Sequence, residues 1–468
     1  MWAPWQKPED GSEPLFHCFR PFVGPPLALP AALVSPVFGA FIEAAEAPLD
    51  SLESCEAESE VLERLLEFMP EPLPSENERQ GNFNAALARF LGCTIAQLRV
   101  TAGSSAAADG GVKHNVRGIG DVPLLIVEVK NEIGPSGDPY FQLQREYQTL
   151  WDEPRLRTAV QLAASARPAL LLEVVGPCLR VSAAASLAPG RVLCEPLAPF
   201  LHFLHVRDQP RYMTRLLATL RALRAAVCSL RDYYDDVAAG DAAIKGARAP
   251  FAAMLAGAAQ AGRRAMPYPL RDDVGKGRFT AAAMLFQERL LWRAVERGRG
   301  GGGAGTPVCV KFSRHEYGTD VHQTWAAAGL APKLYECSLL PGGLRMVVME
   351  LLRKEDGWRM LYELPDAERH AARAAALAVL DTAHALQLPD GRRGVHGDCR
   401  PANTLVRAAP AAPGGWEVKW IDFDSAGAEG DKRYPPLMSH QLPWPPGARP
   451  GELMAQAHDQ QFLREAEK

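Results

Sequence analysis

Residues 395–406, VHGDCRPANTLV, set His396, Asp398 and Asn403 in a short loop with apolar residues at both ends. Residues 416–427, WEVKWIDFDSAG, follow with an apolar run that closes on Asp422-Phe423-Asp424. Any one of these polar residues would serve as a loop cap. Together, in this order, they match one chemistry. In-line phosphoryl transfer needs a carboxylate to orient the acceptor hydroxyl, and an amide oxygen with a further carboxylate to hold Mg2+ against the phosphates. Asp398, Asn403 and Asp422 are expected in those three roles.

The same chemistry needs a cation on the nucleotide. TPVCVKFSRHEY alternates apolar residues up to Lys311, which would sit at the end of a strand and contact the α- and β-phosphates. Its acidic partner is expected on the next helix, with Asp320 first and Glu316 second. MVVMELL reads as a strand running into a connector, with Met349 at its inner end and the backbone of Glu350 to Leu352 facing adenine. GRGGGG, from Gly298, matches a phosphate-binding glycine string only as text. It lies directly before the Lys311 strand and leaves no room for the returning strand such a loop requires, so it reads as a turn. The phosphate cover is expected in RFTAAAMLFQERLLWRAVE, as two strands joined near Phe286 to Glu288.

The ordered set Lys311, Asp398, Asn403, Asp422 resembles the protein kinase family, with H-G-D and D-F-D closer to small-molecule kinases such as the aminoglycoside phosphotransferases. Gly397 stands where many protein kinases carry the arginine that tethers a phosphorylated activation loop, so switching by loop phosphorylation is not expected. After Asp422 the chain contains no A-P-E and is short, which implies a reduced C-lobe. Its RYP, WP and HD segments resemble the kinase-like proteins of mushroom-forming fungi and some crinkler-type effectors. The resemblance implies a Ser/Thr protein-kinase-like enzyme using ATP and Mg2+, with Asp424, the second acid of D-x-D, assisting the metal, Arg400, where many kinases have lysine, neutralising the transferring group, a protein as the expected acceptor and a small molecule as the alternative. A nucleotide-binding pseudokinase is the rival reading.

The chain has 468 residues, enough for two or three domains. Its net charge of -4 excludes an overall pull toward nucleic acid or anionic membrane. No apolar run approaches a membrane span and the start lacks a secretory pattern, so the expected residence is intracellular, cytoplasmic or nuclear, with no membrane partner. The nine cysteines include no C-x-x-C pair, which argues against a zinc site or a disulfide framework.

The expected organisation is an α/β domain over 1–240, an Ala/Gly-rich linker over 241–266, and a two-lobed α+β protein-kinase-like domain with a shortened C-lobe over 267–468. In the first domain, helices are expected over 50–69, over NFNAALARFL closed by Gly92, over YFQLQREYQTLW, and from Arg211 to about Val237. Strands are expected over DVPLLIVEVK and on either side of a Gly176-Pro177 turn.

Here Asp109, with Glu128-x-Lys130 at the end of an apolar strand, resembles the PD-(D/E)xK nuclease core of restriction endonucleases. The resemblance implies a divalent ion on the two acids and a lysine stabilising developing charge. Asp121 is the alternative first acid, and Glu78, Gln144 and Tyr147 would complete the site. Lys113, His114 and Arg117 would touch a backbone phosphate. Nucleic acid is a partner only on this reading, and a solvated strand end is the ordinary alternative for Glu-x-Lys.

Overall fold

The computed structural model describes residues 16–17, 29–47, 55–99, 107–132, 138–163, 165–188, 191–204, 209–245, 266–271, 278–286, 290–298, 305–439 and 442–465. The chain is mixed α/β and divides into two compact units. One comprises Met1–Thr280 with Pro341–Gly343, and the other Ala281–Leu340 with Leu344–Lys468. The division falls inside a strand, later than the expected start at 267.

The first unit is built on helices α1 (Pro36–Ala45), α2 (Glu56–Phe68) and α3 (Glu76–Leu91), then strands β1 (Gly110–Val116) and β2 (Gly120–Lys130). Helix α4 (Pro139–Trp151), strands β3 (Ala169–Val175), β4 (Cys178–Ala188) and β5 (Arg191–Pro196), and helix α5 (Pro210–Lys245) complete it. Gly92 closes α3 in the left-handed region, at φ 67°, where a side chain would be strained. Strands β2 and β3 pair in parallel, with α4 between them in sequence as the crossover, so both lie deep and read as unbroken apolar runs. The sheet order is Phe16–His17, β5, β4, β3, β2, β1, with Leu201–His202 paired to β4. Helix α5 continues past the expected end of the domain, because AAGDAAIK is rich enough in alanine to extend it across Gly240. Residues 246–265 of the expected linker lie outside the described residues.

The second unit opens with a five-stranded sheet ordered β6 (Phe279–Phe286), β7 (Leu291–Glu296), β8 (Thr306–Ser313), β10 (Leu344–Glu350), β9 (Leu334–Leu340). Helix α6 (Thr319–Ala327) lies between β8 and β9 in sequence. The two strands expected over 278–296 are therefore present, while residues 287–289 of their joining turn and 299–304 of the glycine string lie outside the described residues.

Helix α7 (Asp366–Ala385) buries Ala372, Ala375, Ala376, Leu380 and Ala383 on one face. Strands β11 (Thr404–Ala408) and β12 (Trp416–Trp420) then pair antiparallel, and helix α8 (Gln456–Glu465) follows a long irregular segment. Trp325, Val347, Leu380, Cys399, Trp420 and Phe423 share one apolar core with Leu463 of α8, so β12 and the loop after it are seated from several sides.

Candidate active site

Strand β8 is central in its sheet, and Lys311 is buried opposite Leu291 on one side and Val347 on the other. Its Nζ forms an ion pair with Asp422 Oδ1 and lies 2.8 Å from Asp424 Oδ1. Burial opposes the lysine's charge, but the two carboxylates outweigh it and hold the pKa above the ordinary lysine value. Asp422, two residues past the end of β12, has φ 71°, a left-handed conformation that aspartate tolerates better than most residues.

The 395–406 loop is tied to this group through its backbone. Ile421 donates its amide to Asn403 O at 3.0 Å, which joins the ends of β11 and β12. Asn403 Nδ2 donates to Asp398 O at 3.1 Å and to Asp398 Oδ2 at 2.7 Å. Arg400 clamps the same carboxylate through Nε at 2.5 Å and Nη2 at 2.8 Å, a bidentate pair. Burial works against the Arg400 charge, but Asp398, with Asp422 beyond it, raises the pKa further. His396 is fully buried and its Nε2 donates to Ile421 O at 3.0 Å, which leaves Nδ1 to accept the Asp398 amide at 3.3 Å.

Two residues given no role from the sequence, Asp459 of the HD segment and Met454, set this loop. Asp459 of α8, 1% exposed, accepts the amides of His396 and Gly397 at 2.8 Å each, and His384 Nε2 at 3.2 Å. Met454 fills the place beside Gly397, where an added Cβ would lie 2.6 Å from its sulfur and 3.0 Å from Ser425 O. An aspartate on the apolar stripe it shares with Phe462 and Leu463 is the sequence signal for the first. Cys399, beside Asp398, is fully buried, and burial pushes its thiol well up, away from the thiolate that redox chemistry uses.

A cleft of about 750 Å³ opens beside Lys311, lined by Leu291, Cys309, Met349, Leu352, Asp422 and Asp424. Met349 is buried against it, opposite Cys309 in the strand register. Glu350 Oε2 accepts the Lys333 amide and the Lys419 ammonium, both at 3.1 Å, which fixes the connector from outside. The acid expected to partner Lys311 is not brought to it. Asp320 is exposed in the first turn of α6, and Glu316 pairs with Lys432 at 3.3 Å. The buried positions of that helix are Val321, His322 and Trp325.

In the first unit, Glu128 and Lys130 lie on one face of β2 as residues two apart, with Lys130 Nζ 3.0 Å from Glu128 Oε1. Asp109 joins them through its Oδ2, which accepts the Val129 amide at 2.9 Å. The α3 acid at this place is Glu76, whose Oε2 is 3.3 Å from Lys130 Nζ, and not the exposed Glu78. Glu146 of α4 adds a further carboxylate that the sequence did not single out. Burial first, and then Glu128 and Asp109, push it up to about 9. Burial and Asp109 likewise raise Glu128 to about 7.

Gln144 is fully buried with neither amide atom paired, whereas Tyr147 directs its hydroxyl to Arg167 O at 2.7 Å. Asp121 stands at the other end of β2, where it accepts from Asn115 at 2.6 Å. His114 pairs with Asp235 at 2.8 Å, and Lys113 and Arg117 are exposed.

No family model matches the chain, and no curated protein does. Among solved structures it is similar to vaccinia related kinase 3, at 15% identity over 40% of this chain and 61% of that one, with a TM-score of 0.26. It is also similar to WaaP in complex with acyl carrier protein, at 16% identity over 29% of this chain and 58% of that one, with a TM-score of 0.19. The chain thus spans less than two thirds of either. Among the described residues, no helix is long and apolar enough to cross a membrane.

Proposed function

We propose that the second unit is an ATP- and Mg2+-dependent phosphotransferase of the Ser/Thr protein-kinase-like class, acting on a protein hydroxyl, with a small molecule as the alternative acceptor. One observation carries this reading: Lys311, Asp422 and Asp424 meet in the lining of the cleft, and Asn403 is hydrogen-bonded to the residue before Asp422.

The donor set suits the metal. Mg2+ takes one or two carboxylates and keeps several waters, so it needs no ready cluster of three acids, and none is found among the described residues. Asn403 and Asp422 would hold it, with Asp424 beside them. Bound Mg·ATP supplies the phosphoryl group and neutralises its charge. Lys311 would pair with the phosphates, Asp398 would accept the acceptor's hydroxyl proton at a carboxylate oxygen, and Arg400, bonded to Asp398, would lend positive charge to the transferring group. Met349 and the Glu350–Leu352 backbone border the base.

The test is ATP turnover by the purified chain beside Asp398→Ala and Asp422→Ala, expected to lose it. Equal signal in all three would remove the proposal. The pseudokinase rival, favoured by the absence of an α6 acid at Lys311, predicts Mg2+-dependent stabilisation by ATP without turnover.

For the first unit we propose a second reading, a divalent-ion-dependent nuclease on Asp109, Glu128 and Lys130. It is supported by Glu128 Oε2, which is buried without a partner beside Asp109. DNA or RNA cut equally by Glu128→Gln, or left intact with Mg2+ and Mn2+, would dismiss it.

A further inference from the structure

We infer that Phe200, seated on the Arg180 guanidinium, is a base-stacking platform of the first unit, and that the nucleic acid its acids take is a single strand. This rests on the nuclease reading of Asp109 and Glu128, to which it adds the form of the substrate.

Strand register sets the platform in line with the acids. Glu128 of β2 is the register partner of Glu173 on β3, and Glu173 is that of Arg180 on β4. Leu201 pairs antiparallel with Leu179, so Phe200 comes opposite Arg180 one step further on. Register partners project to the same face of a sheet, so Glu128, Glu173, Arg180 and Phe200 form one row leading outward from the acids. Neighbouring strands lie about 4.8 Å apart, which puts Phe200 roughly 14 Å from Glu128 across the sheet.

The row is braced up to its last member. Arg180 grips Glu173 as a fork, Nε to Oε1 at 2.9 Å and Nη2 to Oε2 at 2.7 Å, and Ser182 Oγ donates to Oε1 at 3.1 Å. The guanidinium lies over the Tyr140 ring, 5.0 Å from its centroid, and over Phe200, 4.3 Å from its centroid. Tyr140 is buried and its hydroxyl donates to Cys194 O at 3.0 Å, whereas Phe200 is 39% exposed. Arg180 takes one face of the Phe200 ring and leaves the rest to solvent. Two residues on, the His202 ring stands 4.7 Å from that of Tyr212 at the start of α5, beside the exposed Arg211 and Arg215. A ring open to water with cations nearby stacks a base and draws the backbone on either side of it.

Single-strandedness follows from the ring. A base can give its π-face to a side chain only when it is unstacked, and in a duplex both faces are covered by neighbouring pairs. Leucine at 200 would cover Arg180 as well as phenylalanine does, but it could not stack.

The experiment is fluorescence anisotropy on the full chain in EDTA, with labelled oligo(dT), oligo(rU) and a blunt duplex as probes. Wild type is expected to bind a single strand more tightly than the duplex, the preferred sugar telling DNA from RNA. Phe200→Leu, at wild-type thermal stability, is expected to weaken single-strand binding by about tenfold, and Phe200→Trp to retain it, with the duplex unaffected by either. Single strands bound equally by wild type and Phe200→Leu, bound no better than the duplex, or not bound at all would overturn the inference. If Mg2+ or Mn2+ then still supports cutting that depends on Glu128, the nuclease reading stands without it. Ring-dependent binding by a chain that never cuts supports the platform and removes the nuclease.

Discussion

One oxygen of Asp459 accepts the Gly397 amide at 2.8 Å, from a helix 62 residues further along the chain. Its other oxygen takes the His396 amide, so one buried carboxylate fixes two consecutive peptides next to Asp398. Asp459→Ala would leave those amides and His384 without an acceptor. The expected cost is about 3 kcal/mol or more, with turnover lost. Urea unfolding and ATP turnover check it, and a variant of wild-type stability would refute the anchor.

At Gly397 the backbone has φ 77°, and Met454 occupies the space a side chain would need. Gly397→Ala is expected to cost about 1–3 kcal/mol from strain and overlap together. Adding Met454→Ala should recover the overlap and not the strain, so a double-mutant cycle shows a favourable coupling between the two. Simple additivity would mean that Met454 does not crowd the site.

Lys311→Met leaves the Asp422 and Asp424 carboxylates side by side without their cation. We expect this variant to be less stable than wild type without Mg2+ and to gain more from Mg2+ in a thermal-shift titration, because the metal then replaces the lysine. A smaller gain than wild type would argue against a metal at these acids.

Glu58 in α2 is held by Arg221, with Nη2 at 2.5 Å, and by Arg224, with Nη2 at 2.7 Å. The Arg221 hydrogen bond, chiefly, lowers its pKa from 4.5 to about 2 against the effect of burial. A depressed folded pKa means stability that is fully present above about pH 4.5 and lost as pH falls toward about 2. Acid unfolding of wild type should therefore be steeper across that window than that of Glu58→Gln. Superimposable curves would exclude the linkage.

What could be read beforehand was local. His396, Asp398 and Asn403 share one loop, and Asp422 lies two residues past the next strand but one, so their spacing brings them near each other. Lys311 was legible because strand alternation points it inward. The residues that hold these groups come from elsewhere: Asp459 and Met454 lie far along the chain, and no local pattern states which loop they will meet. Asp320 shows the converse error, since charge type suggested a partner for Lys311, whereas helical phase turns His322 inward and Asp320 out. Phase also separates Glu76 from Glu78 at the first unit's acids. The end of α5 is not legible in the sequence, because Ala-rich sequence reads equally well as linker or helix.

Because the anchor for residues 396 and 397 is carried on α8, those two amides lack their acceptor while the chain is still being made through 459. During synthesis the five-stranded sheet and α7 can form first, and the acids must wait for the closing helix. Nascent or clipped chains that stop short of that helix should therefore lack the 396–397 anchor even though Lys311, Asp398, Asn403 and Asp422 have already been synthesised.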